Sequence, residues 1–254
     1  MDKQKLLILK TGNLPRSVTE QLGPYERAFL NLLGDEQCVV VDARKESLQE
    51  TETDWAGIIA TGSPAGTYDG DAWIAQSEDF LRRAADQDVP IYGVCFGHQL
   101  VAQAFGGTVE KCPRGWELGT VTLNLTPEGQ SDPLFSGAPA SFLAQMSHGD
   151  VVTAMPPDAV ALAQNEHWPY QAFRLGDRIW GTQFHPEFTA TIVENLIQSL
   201  AEILPPDVFH TKPATAPLRE WLLATVREAP VAQRCLDNFA NFANSSWIGE
   251  SSQR

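Results

Sequence analysis

Ile91-Tyr92-Gly93-Val94-Cys95-Phe96-Gly97-His98-Gln99-Leu100-Val101-Ala102 joins a short apolar run to a helical pattern and places a cysteine at the junction. Pro90 ends the preceding helical pattern and feeds residues 91–94 directly as a buried strand. Residues 99–105 read as the next helix, so Cys95 falls on a strand-to-helix turn. Such a turn lifts its side chain above the carboxyl edge of a sheet, and Gly93 and Gly97, two positions either side, let strand and helix approach. The free N–H groups at the helix start favour a thiolate and, with Phe96 the nearest, can hold an oxyanion. The competing reading is a small buried hydrophobe closing a strand, the commoner fate of a lone cysteine. His98 is three residues from Cys95, but the turn directs the cysteine away from the helix, so His98 is expected to order the turn or to pack in the site.

Outward from this junction, short apolar runs alternate with longer helical patterns, the signature of a parallel α/β sheet. The expected strands are 6–9, 38–41, 57–60, 91–94, 121–125, 160–163, 170–174 and 179–182. The expected helices are 24–33, 72–87, 99–105 and 189–204. Leu204-Pro205-Pro206, with Pro213 and Pro217 beyond, breaks the chain. Residues 218–226 and 231–242 then read as two amphipathic helices, and 244–254 as a polar, frayed end. This divides the chain into a catalytic domain, 1–204, and a helical C-terminal extension, 205–254, able to cap the domain or to form a homodimer contact.

Composition narrows the partners. The 254 residues carry 18 Lys and Arg against 32 Asp and Glu, a net charge of -14 that repels phosphate backbones and anionic lipid. Neither nucleic acid nor membrane is expected as a partner. The first apolar run, Leu6-Leu7-Ile8-Leu9, is too short for a signal-peptide core or a membrane span. Four cysteines, at 38, 95, 112 and 235, show no C-x-x-C pairing or metal-ligand spacing, so reduced thiols in a cytoplasmic protein without metal or cofactor are expected.

A thiol nucleophile that expels an amine needs a base that turns into an acid, and imidazole titrates in the right range. Trp180-Gly181-Thr182-Gln183-Phe184-His185-Pro186-Glu187-Phe188 supplies one after a strand. Proline between His185 and Glu187 suggests extended backbone, in which side chains two apart point the same way, so Glu187 can set the tautomer of His185. Alone, this run reads as an ordinary surface turn; paired with the upstream cysteine it completes a nucleophile, base and orienting acid. His148, His167 and His210 are the competing histidines. His148 follows Ser147 in Met146-Ser147-His148-Gly149-Asp150, read as a polar loop suited to presenting backbone groups to a ligand.

Residues 93–99 with His185-Pro186-Glu187 resemble the class I (triad) glutamine amidotransferase domain, and the 146–150 loop resembles that of its GMP synthase branch. The stretch from Phe105 to Gly119 is similar to the segment after the cysteine turn in the same branch, so the resemblance spans roughly residues 6–204. It implies a flavodoxin-like open, mostly parallel sheet with helices on both faces and the site at its carboxyl edge. It also implies a triad of Cys95, His185 and Glu187. By the same resemblance Gly62 or Ser63, in Thr61-Gly62-Ser63-Pro64, joins Phe96 in an oxyanion hole, and Gln99, Ser147 and His148 hold the α-amino and α-carboxylate ends of glutamine.

The chain departs from that branch in lacking a Ser-Gly-Gly-x-Asp-Ser loop and any Gly-x-x-x-x-Gly-Lys loop. Two enzymatic expectations follow: a glutaminase subunit serving a separate ammonia-accepting synthetase, or a stand-alone hydrolase of a γ-glutamyl amide or peptide. Trp116, Trp168 and Tyr170 are candidates to line a wider pocket, though aromatic residues at such positions are more often core. A catalytically silent regulatory or interaction module would be expected to lose a triad residue, and none is lost. The related stress-response and protease-like proteins share the cysteine turn but usually lack the downstream His-Pro-Glu.

Overall fold

Leu6–Lys10 (β1) is buried on both faces, as its unbroken apolar run requires. The computed structural model describes residues 5–49, 54–205, 208–209 and 217–251, which leaves His210 and Pro213 outside the described residues. After β1 the chain runs through Arg16–Leu22 (α1), Glu26–Leu33 (α2), Cys38–Asp42 (β2), Gly57–Ala60 (β3), Ala72–Ala85 (α3), Ile91–Val94 (β4) and Phe96–Ala104 (α4). Thr108–Lys111 (β5), Glu117–Leu125 (β6), Pro127–Ser131 (α5), Ser141–His148 (β7), Asp150–Ala154 (β8), Val160–Gln164 (β9), Ala172–Leu175 (β10) and Ile179–Thr182 (β11) follow. Ala190–Leu200 (α6), Leu218–Leu223 (α7) and Pro230–Ser251 (α8) complete it.

Nine strands form one sheet in the order β2-β1-β3-β4-β11-β10-β9-β6-β7, and β5 pairs with β8 in a separate ribbon. The strands from β2 to β11 are parallel, and those from β11 to β7 pair antiparallel. Alternating side chains send Leu6, Ile8, Tyr92 and Val94 into one apolar cluster, and Leu7, Leu9, Ile58 and Ile91 into the other. Helices therefore cover both faces. The register aligns Ala60 with Gly93, Gly93 with Gly181, and Val94 with Thr182. Three adjacent parallel strands thus end within one residue of one another, and their next residues, Thr61, Cys95 and Gln183, leave the sheet at one edge.

Several elements differ from the sequence expectation. The 146–150 segment is not a loop: it is the end of β7, Gly149, and the start of β8. Buried Gln145 and His148 break the apolar run that would have marked β7, and each is satisfied by distant partners: Gln145 by Thr120 and the Arg227 carbonyl, His148 by Glu117. The 244–254 tail is helical as far as Ser251, because α8 propagates from a face anchored by Leu236, Phe239 and Ala243. That face shares its cluster with Tyr92 and Trp180 of the sheet, and Phe239 lies 5.4 Å from the Tyr92 ring. No helix among the described residues is long and apolar enough to cross a membrane.

The crossing of β4 and α4 leaves no room for side chains. A Cβ on Gly97 would stand 2.1 Å from the Ala60 carbonyl oxygen, and one on Gly93 2.3 Å from that of Gly97. Backbone on both sides cannot step aside. Gly97→Ala is therefore expected to lose at least about 3 kcal/mol of stability or to fail to fold; thermal unfolding checks this, and an unchanged Tm would contradict the packing described.

Candidate active site

Cys95 occupies a backbone conformation that L-residues rarely adopt, φ 53° and ψ -103°, and α4 starts at the very next residue. The helix begins three residues earlier than its pattern suggests, so its N-terminal dipole bears directly on the sulfur. The Cys95 N–H is tied to the Thr182 carbonyl at 2.8 Å, and the Gly97 N–H to the Thr61 carbonyl at 3.0 Å, which pins the turn between β3 and β11. His98 points to the other side of the sheet against Phe173, ring centroids 4.8 Å apart. Burial there pushes its pKa down to about 3, so it is neutral and turned away from the sulfur.

His185 and Glu187 meet as expected, by a different backbone route. His185 Nδ1 lies 2.7 Å from Glu187 Oε1. The Phe188 N–H reaches back to the His185 carbonyl at 3.4 Å, so Pro186 sits in a turn and the two side chains converge across it. The His185 N–H binds the Gln145 carbonyl at 2.9 Å, and the imidazole lies flat on Phe188, centroids 3.9 Å apart and planes 2° from parallel. These contacts fix the ring's position and plane. Burial by itself lowers the imidazolium pKa, but the charges of Glu187 and Cys95, with hydrogen bonds to both, outweigh it and hold His185 up at about 10.

Tyr25 is a member of this site that sequence reasoning missed. Its hydroxyl donates to Glu187 Oε1 at 2.7 Å and accepts the Gly62 N–H at 3.1 Å. Burial and the Glu187 charge raise its pKa well above the usual tyrosine value, which keeps it a donor. Of the two loop amides proposed for an oxyanion, that of Gly62 is thus engaged by Tyr25. Nothing local flags Tyr25, which follows a Gly-Pro turn within an ordinary amphipathic pattern.

The expected ligand-holding residues lie beside the sulfur. Cys95 Sγ stands 3.8 Å from the Ser147 carbonyl oxygen and accepts from Gln183 Nε2 at 3.6 Å. Gln99 donates through Nε2 to the Asp150 carbonyl at 2.9 Å and to Gln183 Oε1 at 3.1 Å. His148 is buried, with Nε2 3.1 Å from Glu117 Oε2 and Nδ1 3.1 Å from the Asp150 carbonyl oxygen. Glu117 also accepts from Asn165 and Gln171. Burial raises the pKa of Glu117, but His148, His167 and the Asn165 hydrogen bond more than reverse that and hold it below the usual carboxylate value. This network braces the end of β7, where the Ser147 carbonyl faces Cys95.

A cavity of about 890 Å3 opens over Cys95, with Gln99, Ser147, His148 and His185 in its wall. Leu14, Trp116, Leu196, Leu200 and Val208 form an apolar side, while Tyr68, Lys111 and Asp150 stand at another. The Tyr68 hydroxyl donates to Asp150 at 2.8 Å. The Trp116 indole packs on Gly149, and the backbone N–H of Trp116 binds the Val208 carbonyl at 2.7 Å, which brings the segment after α6 into the wall. Trp168 and Tyr170 are not in the lining: the Trp168 indole N–H is committed to the Val152 carbonyl at 2.8 Å, behind the site.

The family model described as glutamine amidotransferase class-I matches residues 26–200. A GMP synthase [glutamine-hydrolyzing] from Thermosipho africanus is 37% identical over 168 residues, which cover 64% of this chain and 30% of that protein. The chain thus spans under a third of that relative's length. A protein called gamma-glutamyl peptidase 4, from Arabidopsis thaliana, is 28% identical over 202 residues, covering 77% of this chain and 80% of the relative. Among solved structures, a glutamine amidotransferase from Thermotoga maritima superposes with a TM-score of 0.72 at 18% identity, over 95% of this chain and 98% of that one. At that identity the likeness concerns the fold.

Proposed function

We propose a reaction for this chain, which belongs to the glutamine amidotransferase class-I family: Cys95 cleaves the side-chain amide of glutamine, or of a related γ-glutamyl compound, through a γ-glutamyl thioester. The observation that carries the reading is Cys95, strained at a helix N-terminus, coupled to a His185 that Glu187 holds at 2.7 Å. The Cys95 thiolate attacks the γ-carbonyl carbon, forming a C–S bond and moving the carbonyl electron pair onto oxygen. The Phe96 N–H, at the first turn of α4, receives that oxyanion together with the Ser63 N–H, since Tyr25 holds that of Gly62. On collapse the C–N bond breaks, and His185 gives its proton to the departing nitrogen. Water then attacks the thioester while His185 takes one of its protons, and glutamate leaves as the C–S bond breaks. In this reading Gln99 and the backbone at Ser147 and His148 hold the α-amino and α-carboxylate ends.

A second reading concerns the leaving group, and the cavity favours it. At about 890 Å3 it lies near the upper end of the roughly 300–1,000 Å3 usual for small-molecule sites, and its apolar side would be idle with ammonia as leaving group. A γ-glutamyl amide or peptide with an apolar substituent on the scissile nitrogen uses that side. Both readings are tested by incubating the purified chain alone with glutamine and a panel of γ-glutamyl dipeptides while glutamate is measured. Release from either class supports the hydrolase, and kcat/KM at least about tenfold higher for apolar dipeptides assigns the larger leaving group. A chain inert on every member until a synthetase is added would instead make it a glutaminase subunit.

A further inference from the structure

We propose that Gln183 is a catalytic residue, its side-chain amide donating a hydrogen bond to the Cys95 thiolate and tying that sulfur to the ligand-holding amide of Gln99. The inference rests on Cys95 as nucleophile. It starts from an orientation that the hydrogen bonds themselves dictate. The Asp150 carbonyl oxygen can only accept, so the end of the Gln99 side chain 2.9 Å from it is the amino end. That same nitrogen is 3.1 Å from the Gln183 side chain, which must therefore present its oxygen there. The remaining end of Gln183, 3.6 Å from Cys95 Sγ, is consequently its N–H2 group. A flipped Gln183 would set two donors against each other and a carbonyl oxygen against the sulfur. With Gln183 1% exposed and Gln99 3% exposed, water cannot repair such a mismatch.

The placement is rigid. The Gln183 N–H binds the Gln171 carbonyl at 2.9 Å, and Gln171 is held in turn by the buried Glu117. One residue earlier, the Thr182 carbonyl takes the Cys95 N–H at 2.8 Å, so the end of β11 grips Cys95 through both backbone and side chain. The groups around the sulfur divide by charge preference, and the His185 imidazole, hydrogen-bonded to it, and the N-terminus of α4 already favour the thiolate. The Ser147 carbonyl oxygen, 3.8 Å away, suits a neutral thiol and opposes a thiolate, whereas the Gln183 N–H does the reverse. Gln183 therefore offsets an acceptor that the ligand-holding end of β7 cannot avoid presenting.

The test uses the full chain and reads alkylation of Cys95 by iodoacetamide, followed on its own peptide by mass spectrometry so that Cys38, Cys112 and Cys235 do not interfere. Gln183→Met removes the donor and keeps the length of the side chain. Gln183→Glu keeps the shape and the acceptor toward Gln99, and so covers the case in which the first variant does not fold. Near pH 6, alkylation is expected to slow by about tenfold in Gln183→Met and by more in Gln183→Glu. At alkaline pH, where the thiol ionises in every variant, the rates should converge to within about twofold of wild type. Equal rates near pH 6 would overturn the role, and so would equal slowing at both pH values, which is the mark of altered access. Either result leaves the nucleophile reading standing, because that reading fails separately, through undiminished turnover in Cys95→Ser.

Discussion

Cys95→Ser is expected to lower glutamate release from every glutamine or γ-glutamyl substrate by at least about 10⁴-fold, while the fold and the cavity stay as they are. The substitution changes one atom in a site arranged for a thiolate. A serine hydroxyl does not ionise near neutral pH, and here its neighbours include the Ser147 carbonyl oxygen, 3.8 Å from the sulfur position, which accepts a hydroxyl proton and holds it back. Although burial works against it, the Glu187 charge and hydrogen bonding to Cys95 and Glu187 hold His185 in its protonated form. It is poorly prepared to extract a proton from a hydroxyl. The variant should unfold at the wild-type temperature, since the volume change is small and no core contact is lost. Steady-state glutamate release checks the prediction, and loss of activity with loss of fold would not meet it.

The second large effect is expected at Glu187. Its Oε1 serves both the His185 ring and the Tyr25 hydroxyl, and the side chain is buried against both. Glu187→Gln should reduce kcat by about 10³- to 10⁴-fold, the scale of removing the acid that orients a catalytic imidazole. A signature in stability should accompany it. In the folded chain His185 is raised to about 10, above the roughly 6.5 of an unfolded histidine. Between those values the folded state binds the extra proton. The contribution is therefore complete below about pH 6.5 and is lost as pH rises through about 10. Denaturant midpoints measured from pH 6.5 to 10 should fall more steeply for wild type than for Glu187→Gln. Parallel slopes would deny His185 its raised proton affinity.

What was legible in the sequence is what local chemistry determines. The apolar runs of β1, β3, β4 and β11 are bounded by proline, glycine and polar residues, and their ends are recovered to within a residue. Cys95 was readable because Gly93 and Gly97 on either side permit only a close strand-to-helix crossing. The residues that stayed hidden are held by long-range partners. β7 carries Gln145 and His148 inside the protein, and Thr120, Glu117 and the Arg227 carbonyl, remote in sequence, help make them tolerable there. Tyr25 meets Glu187 across 162 positions of chain, and Gln183 meets Cys95 across 88. Proline between His185 and Glu187 suggests extended backbone, whereas a turn closed by the Phe188 N–H brings the two side chains together.

The covalent intermediate on Cys95 tests the account most directly. The chain is mixed with a slowly turned-over γ-glutamyl substrate, quenched in acid within the first turnovers, and digested for mass spectrometry. The account predicts one glutamyl group on the peptide containing Cys95, labile to hydroxylamine as a thioester is, and no thioester in Cys95→Ser. Glutamate release that proceeds with Cys95 unmodified, or a glutamyl group carried by Cys112 or another residue, would contradict it.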